Sequence, residues 1–344
     1  LDLKIFSINT LHLVAIGSIV LLSWNNARGI NQSKIVQNIF TWSKILILTA
    51  FVVVGFIYAS GQNYPGGYWK ASGLTGEEII PLTGMALIAA FGSSLVGSMF
   101  SADAWYDVSF ASAEVKNARR NLPVSLFLGT LIVSILYIFV NWVYIKALPV
   151  IGSQEGTTVL ERGLAFATED RVGTAAMESI LGPSAELIMA IVVVISTFGC
   201  NNGLIMAGPR VYYAMANDGL FFRRLGDLNN RSVPGNALFA QMLWSTVLCL
   251  SGTYSNLLDY VIMAVLLFNG LTIAGIFILR RKKPHADRPY KAVGYPVIPG
   301  IFILFCLFVV TILLVYKPMY TWPGLIIVLT GIPVYFIWKS KRPD

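Results

Sequence analysis

Charged residues, histidine and cysteine are all scarce in this sequence. Only 12% of its 344 residues are charged, and it has 2 histidines and 3 cysteines. It contains no HExxH, GxSxG or CxxC motif and no glycine-rich phosphate loop, which are signatures of metalloenzymes, hydrolases, redox proteins and nucleotide-binding enzymes. The sequence therefore predicts no enzyme activity, no metal site and no cofactor.

Long hydrophobic stretches are abundant instead. Hydrophobic residues make up 56% of the chain, and the mean hydropathy is +0.69. Since a helix needs about 20 apolar residues to cross a bilayer, the pattern predicts an all-α membrane protein with nine spans. They are expected at residues 8–24, 37–59, 82–114, 122–148, 185–215, 236–250, 257–279, 297–316 and 322–338. All three cysteines fall within these spans, which favours packing thiols over a disulfide framework.

The net charge of +8 is explained by where the basic residues lie. If the loop after Trp24 is cytoplasmic, most of the 25 lysine and arginine residues fall in loops on that side of the membrane. The positive-inside rule then puts the start of the chain outside and its C-terminus in the cytoplasm. We expect a multi-pass protein of the plasma (inner) membrane, whose surroundings are lipid and not nucleic acid.

The span 82–114 is interrupted by small and acidic residues. Glycine and serine crowd its middle around Gly92 and Gly97, and Asp103 and Asp107 follow one helical turn apart. Small residues weaken a helix, and unwound backbone at membrane depth must face protein or a watery cavity because lipid cannot hydrate it. A broken helix carrying carboxylates at this depth predicts a binding site.

Lys44 is the singular residue of the second span, 37–59. A lysine near a helix end usually extends its ammonium group to the lipid headgroups. The alternative is an ammonium group held inside the bundle, as a fixed charge or a proton carrier. The residues alone leave both interpretations open.

Polar and small residues also interrupt the fifth span. The polar ones are Ser196, Thr197, Asn201 and Asn202. Gly199 and Gly203 form a small-xxx-small pair, which is typical of close helix approach. The pattern indicates helix packing, a polar face towards a pore, or both. The long loop 150–183 before this span is interpreted either as a lid or as a plain packed loop.

Several stretches together resemble a known transporter family. They are FSADAWYDVSFASAEVKNARRNLP, VQNIFTWSK, STFGCNNGLIMAGPRVYYAMANDGL, and RRKKPHADRPYKAVGYPVIP with TWPGLIIVLTGIPVYF. Over nearly its whole length the chain resembles the L-type amino acid transporter branch of the amino acid/polyamine/organocation superfamily. The stretches correspond to the sixth, fifth, eighth and last helices of that family.

The resemblance implies a LeuT-type fold of two inverted five-helix repeats, with a broken helix, plus two accessory helices. The chain would begin just before the fourth family helix and lack the first three. Residues 1–60 would be the last two helices of the first repeat, and 61–81 an external loop. Residues 82–280 would form the second repeat, and 281–344 the accessory helices with a cytoplasmic tail.

The resemblance also implies roles for individual residues. The substrate-binding positions are Phe100, Ser101, Ala102, Asp103, Trp105, Tyr106 and Cys200, of which Phe100 matches the gating aromatic residue. Lys44 matches a fifth-helix lysine near the place where sodium-coupled relatives hold a cation. Ser196 and Thr197 fall where the eighth helix would approach it.

A secondary amino acid transporter is therefore expected, working as a sodium-independent exchanger by alternating access. Many family members have glycine where this chain has Asp103, and asparagine where it has Tyr106. Because a confined carboxylate attracts a cation, a proton-coupled permease for cationic amino acids or polyamines stays open, as does a non-functional truncated carrier or scaffold. The external loops contain no cysteine for a disulfide-linked accessory subunit, and a homo-oligomer is left open.

Overall fold

The described part of the chain is mostly helical. The computed structural model describes residues 10–59, 83–251, 254–288 and 290–340, and this part of the chain contains no strand. The predicted external loop 61–81 and the end of the predicted cytoplasmic tail lie outside the described residues. The all-α class expected from the hydropathy pattern is confirmed.

The described residues form eleven α-helices. In chain order they are α1 (Thr10–Ala27), α2 (Ile30–Tyr58), α3 (Gly84–Ser101), α4 (Ala118–Ala147), α5 (Val159–Arg162), α6 (Val172–Leu181), α7 (Ala185–Asn217), α8 (Gly235–Ser251), α9 (Tyr254–Lys282), α10 (Val297–Tyr316) and α11 (Pro318–Ser340). Short 3₁₀ helices lie at Asp107–Glu114, Thr168–Asp170 and Arg223–Gly226. In this part of the chain, eight α-helices are long and apolar enough to cross a membrane. The remaining predicted span, 236–250, corresponds to α8, which has 17 residues.

The helices group into two compact units. Within the described residues, the first unit comprises the chain up to Ser23, the stretch ending at Leu126, and everything from Ala207 onward. The second unit comprises the stretch from Trp24 to 59 and the stretch 127–206. Each unit has its own core of buried apolar side chains.

The core of the first unit is built by α3, α9 and α10. Its buried members are Val96, Ile262, Met263, Leu266, Cys306, Val309, Val310 and Leu313. Gly92 lets α3 approach α10 closely, because a Cβ atom at Gly92 would collide with the side chain of Ile312. Close van der Waals contact of this kind holds helices together in lipid, where apolar burial between helices drives little. Cys306 is a packing thiol, as the sequence predicts.

The core of the second unit includes the long connection between α4 and α7. Its fully buried side chains include Val143 of α4, Leu148 and Ala176 of the connection, and Ala185 at the start of α7. Ala176 belongs to α6, whose neighbours Ala175 and Met177 are also buried. The loop predicted at 150–183 is therefore packed structure, the second of its two interpretations.

Local hydrogen bonds fix the first part of this connection. Thr158 and Glu161 form a reciprocal capping box at the start of α5, which satisfies backbone donors that a helix start leaves exposed. Hydrogen bonds from the backbone and hydroxyl of Thr157, and from the backbone of Thr158, lower the pKa of Glu161. The amide of Leu164 donates to the carbonyl of Pro149 at 2.8 Å, which closes the loop on itself.

Candidate functional site

The predicted interruption of the third span is confirmed. The helix α3 ends at Ser101, and residues 102–106 form turns. Within them Ala104 has a φ of 63°, a left-handed conformation that a non-glycine residue adopts only at a cost. A 3₁₀ helix from Asp107 to Glu114 follows, and its backbone departs from helical angles at Ala111. The span is thus two segments joined by irregular backbone.

The interruption lies beyond the glycines that were expected to cause it. Gly92 and Gly97 both lie inside regular helix. Two nearby serines are satisfied within the same helix: Ser94 donates to the carbonyl of Phe91 at 2.8 Å, and Ser101 donates to that of Gly97 at 2.9 Å. Because these hydroxyl groups bond to the preceding turn, they are compatible with a continuous helix at membrane depth.

Several predicted substrate-binding residues meet at the interruption. The ring of Tyr106 lies 5.5 Å from that of Trp105 and 5.9 Å from that of Phe110, edge to face in both cases. The hydroxyl of Tyr106 donates a long hydrogen bond of 3.4 Å to Asp103. Phe100 sits on the last turn of α3 with 37% of its surface exposed. The segment therefore combines an aromatic cluster with a carboxylate that already accepts one hydrogen bond.

Lys44 lies where α2 packs against α7. It is near the middle of α2, so its side chain is not at a helix end. A Cβ atom on Gly199 of α7 would lie 3.1 Å from Cε and 3.3 Å from Nζ of Lys44, and 2.6 Å from Cβ of Phe40. Gly199 therefore makes room for the lysine. The ammonium group is held against a neighbouring helix, while its role in coupling stays a prediction.

The other predicted residues of α7 have different surroundings. Cys200 follows Gly199 and is exposed. Thr197 is exposed, and its hydroxyl donates to backbone carbonyls of its own helix at 2.9 and 3.1 Å. Ser196 is half-buried and lies one turn before Gly199, on the same face of α7. Ser196 thus shares the helix face of Gly199, whereas the hydroxyl of Thr197 is engaged by its own helix.

A buried polar cluster joins α1, α2 and α7 within the second unit. Asn202 is fully buried, and its side chain donates to the side-chain oxygen of Gln37 at 2.8 Å and to the carbonyl of Ser33 at 3.3 Å. Asn26 in turn donates to the side-chain oxygen of Asn202 at 3.0 Å. Sequence reasoning singled out Asn202 but missed its partners. The only signal for them was the helical spacing of Ser33 and Gln37 on the face of α2.

Two ion pairs in the first unit were also missed. Arg210 of α7 binds Glu114 through two parallel contacts, Nε to Oε1 at 2.8 Å and Nη2 to Oε2 at 2.9 Å. Its side chain is only 11% exposed. Arg119 and Asp287 are 3.2 Å apart with both side chains mostly exposed. An arginine inside an otherwise apolar helix requires an acidic partner, so Arg210 was the signal for the first pair.

The predicted site residues divide between the two units. The first unit contains Phe100, Ser101, Ala102, Asp103, Trp105 and Tyr106, and the second contains Lys44, Ser196, Thr197 and Cys200. Within each unit the structure brings the members close to one another along one or two helices. Among the described residues, no group of three His, Cys, Asp or Glu side chains is arranged to hold a metal ion.

Known transporters are similar to this chain over nearly all of its length. The large neutral amino acids transporter small subunit 2 of Homo sapiens is 30% identical over 335 residues, which are 96% of this chain and 58% of that protein. The Asc-type amino acid transporter 1 of Mus musculus is 26% identical over 95% of this chain and 58% of its own length. The cystine/glutamate transporter of Homo sapiens is 27% identical over 92% of this chain and 59% of its own length.

The chain thus spans somewhat less than three fifths of the length of these relatives, since the matched region covers 58–59% of each. The family model for amino acid permeases matches residues 4–337. Nearly every described helix falls inside this match, including the interrupted third span and the polar α7. The eight long apolar helices among its described residues and this match together make the chain a multi-pass integral membrane protein of the amino acid permease family.

Proposed function

We propose that the full-length protein is a secondary amino acid transporter that exchanges one amino acid for another, independently of sodium, by alternating access. The observation that carries this proposal is the interruption of an apolar helix at residues 102–106 in a chain of the amino acid permease family. Irregular backbone at membrane depth must be buried in protein or line a watery cavity, and transporters use such broken helices to bind the charged groups of small substrates. No catalytic step is part of this function.

In the proposed mechanism, the irregular stretch 102–117, here called the interrupted segment, binds the substrate at its start, and Phe100 closes over it. The proposed backbone ligands are peptide groups of Ser101, Ala102 and Asp103. The amides of Ala102 and Asp103 bond to the carbonyls of Ser98 and Phe100 in this conformation, so substrate would replace those bonds. Trp105 and Tyr106 form an aromatic wall in this proposal. Cys200 is the proposed lining residue of α7. The exposure of Phe100 at the end of α3 supports a gating role, because a ring that is not packed in a core is able to change rotamer at low cost.

Sodium independence is proposed from Lys44. Its ammonium group lies against Gly199 of α7, with Ser196 one turn away on the same helix face. A fixed positive charge at that place repels a second cation and substitutes for it electrostatically. Ser196 and Thr197 are the proposed neighbours of this charge, although the hydroxyl of Thr197 bonds to its own helix.

The location and assembly belong to the same proposal. We infer a plasma or inner membrane location with the C-terminus in the cytoplasm, from the distribution of basic residues between alternate loops. The partners proposed are an amino acid substrate and the bilayer, without a disulfide-linked accessory subunit. The repeat boundaries at residues 60, 82 and 280 stay predictions.

Exchange by the full-length protein in liposomes tests the proposal. Liposomes loaded with unlabelled amino acid should take up the labelled amino acid, and empty liposomes should take up little. Uptake should be the same in sodium and in choline buffer. Dependence on sodium would contradict the role of Lys44, and uptake driven by a proton gradient with preference for lysine or a polyamine would favour the permease alternative.

A variant of the gate adds a residue-level test. Phe100→Ala should reduce uptake much more than it reduces the amount of folded protein, because the ring closes the site without supporting the core. Phe127→Ala is a control, since Phe127 is an exposed aromatic residue of α4, 66% exposed, outside the proposed site. Unchanged uptake by the Phe100 variant would remove the gate assignment.

A further inference from the structure

Glu114 and Arg210 join the far end of the interrupted segment to α7. Glu114 is the last residue of the 3₁₀ helix Asp107–Glu114, and Arg210 lies 96 positions further along the chain. The contact is bidentate, with both distances at or below 2.9 Å. Bidentate pairs between guanidinium and carboxylate groups are strong and fix orientation as well as distance.

The interrupted segment has little local support of its own. A 3₁₀ helix has poorer hydrogen-bond geometry than an α-helix and is rarely long. Left-handed residues flank it, with a φ of 63° at Ala104 and 49° at Asn117, and Ala111 departs from helical angles inside it. Contacts with other helices must therefore determine where this segment lies.

The two ion pairs of the first unit differ in burial. Arg210 is 11% exposed and Glu114 is 34% exposed, whereas Arg119 and Asp287 are 78% and 74% exposed. A largely buried guanidinium group is stable only while its partner is present, because an unpaired buried charge is costly. An exposed pair contributes little. The Glu114 pair thus holds the segment firmly, and the Arg119 pair serves as its natural control.

We propose that the Glu114–Arg210 pair positions the second half of the interrupted segment against α7, and that the rate of the conformational change in transport depends on this pair. The inference rests on the proposed function but concerns residues outside the proposed substrate site. Because neither side chain touches the substrate in that mechanism, its loss reduces the maximal exchange rate and leaves the KM for the amino acid nearly unchanged.

The test uses three variants of the full-length protein in liposomes: Glu114→Gln, Arg210→Gln, and the double reversal of Glu114→Arg with Arg210→Glu. Each single variant should lower the maximal exchange rate by about tenfold or more, with KM within about threefold of the wild type. The double reversal restores the ion pair with its charges exchanged, so it should recover a substantial part of the rate.

Hydrogen–deuterium exchange provides a second readout that does not depend on transport. Deuterium uptake by peptides covering residues 102–117 should rise in each single variant, because the segment is released, and should fall again in the double reversal. Arg119→Gln and Asp287→Asn are the matched controls. They should leave both the exchange rate and the deuterium uptake within about twofold of the wild type.

The two readouts separate failure of this inference from failure of the proposed function. If the wild type exchanges no amino acid, the proposed function is wrong, while deuterium uptake still decides whether the pair positions the segment. Unchanged uptake at residues 102–117 in folded single variants would overturn the inference. So would a double reversal that melts at the wild-type temperature yet behaves like the single variants in both assays.

Discussion

The helices α3 and α7 are both rich in small residues, yet only α3 gives way to irregular backbone. α7 continues from Ala185 to Asn217 through Gly199, Gly203 and Pro209. α3 stops at Ser101. Composition alone therefore does not separate a continuous membrane helix from an interrupted one.

The two helices differ in the side chains that cover their small residues and in the residues that come after them. In α7, side chains of α2 fill the space over the glycines: Lys44 lies over Gly199, and Gln37 lies over Gly203. The interruption after α3 coincides instead with Asp103, whose carboxylate accepts a local hydrogen bond from Tyr106. Small residues in α7 make room for a neighbouring helix, whereas the backbone after α3 turns into a left-handed conformation at Ala104.

Replacing Asn202, the central residue of the buried polar cluster, should have the largest effect on stability. In Asn202→Ala, the buried side chain of Asn26 and the half-buried side chain of Gln37 each lose a hydrogen-bond partner, so the free energy of unfolding should fall by about 3 kcal/mol. Denaturant titration of the protein in detergent micelles measures it. Asn201→Ala, at the adjacent half-buried position, should cost less than about 1 kcal/mol. Equal losses would show that the cluster is not what stabilises α7.

Adding a methyl group at Gly199 should have the second-largest effect on stability. Gly199→Ala brings the new Cβ atom to 2.6 Å from Cβ of Phe40, and the overpacking should lower the free energy of unfolding by about 2 kcal/mol. Gly203→Ala meets Gln37 only at 3.5 Å and should gain up to about 1 kcal/mol from helix propensity. The same titration compares the two, and a tolerated Gly199→Ala would mean that α2 and α7 are not in close contact.

The two glycines of α3, Gly92 and Gly97, should show a smaller difference in stability when each is replaced by alanine. Gly92→Ala collides with the side chain of Ile312, whose end is flexible, so the loss should be about 1 kcal/mol. Gly97 has open space at its Cβ position, and Gly97→Ala should stabilise the helix by about 0.5 kcal/mol. Thermal unfolding in micelles detects both signs. A loss at Gly97 would indicate that the interruption extends back into α3.

The smallest expected effect is at the interruption itself. Ala104→Gly relieves the left-handed conformation and, after the greater flexibility of glycine in the unfolded chain is counted, should raise stability by about 0.5 kcal/mol. Ala104→Val should lower it, since a branched side chain fits this conformation poorly. The melting temperatures of the two variants should therefore move in opposite directions. If both fall, residue 104 is not left-handed in solution.

Hydropathy was sufficient to predict most of the fold. Apolar runs of about 20 residues are stable in lipid, so the positions of the membrane spans follow from the distribution of apolar residues. The helix α8 differs from the other spans only in being short. The irregular segment was predicted in the right span because Asp103 and Asp107 are conspicuous there. The break was expected among the glycines, because glycine weakens a helix. In the structure Gly92 instead allows close packing against Ile312, and the sequence does not show which neighbour a glycine will meet.

The contacts of the polar residues could not be predicted from sequence. Asn202 is visible as a polar residue in an apolar run, but its partners Asn26 and Gln37 belong to other helices, 176 and 165 positions away. The same holds for Arg210 and Glu114, which are 96 positions apart. Sequence shows that such groups need partners, and tertiary structure decides which ones they find.

The packed connection between α4 and α7 has a practical consequence for labelling and display. By length and polarity it is the segment in which one would place an affinity tag, a fluorophore or an inserted domain. Ala176 and Leu148 are fully buried in the apolar core of the second unit, so an insertion beside them would disrupt that core. The exposed turn at Glu155, just before α5, offers a safer attachment point.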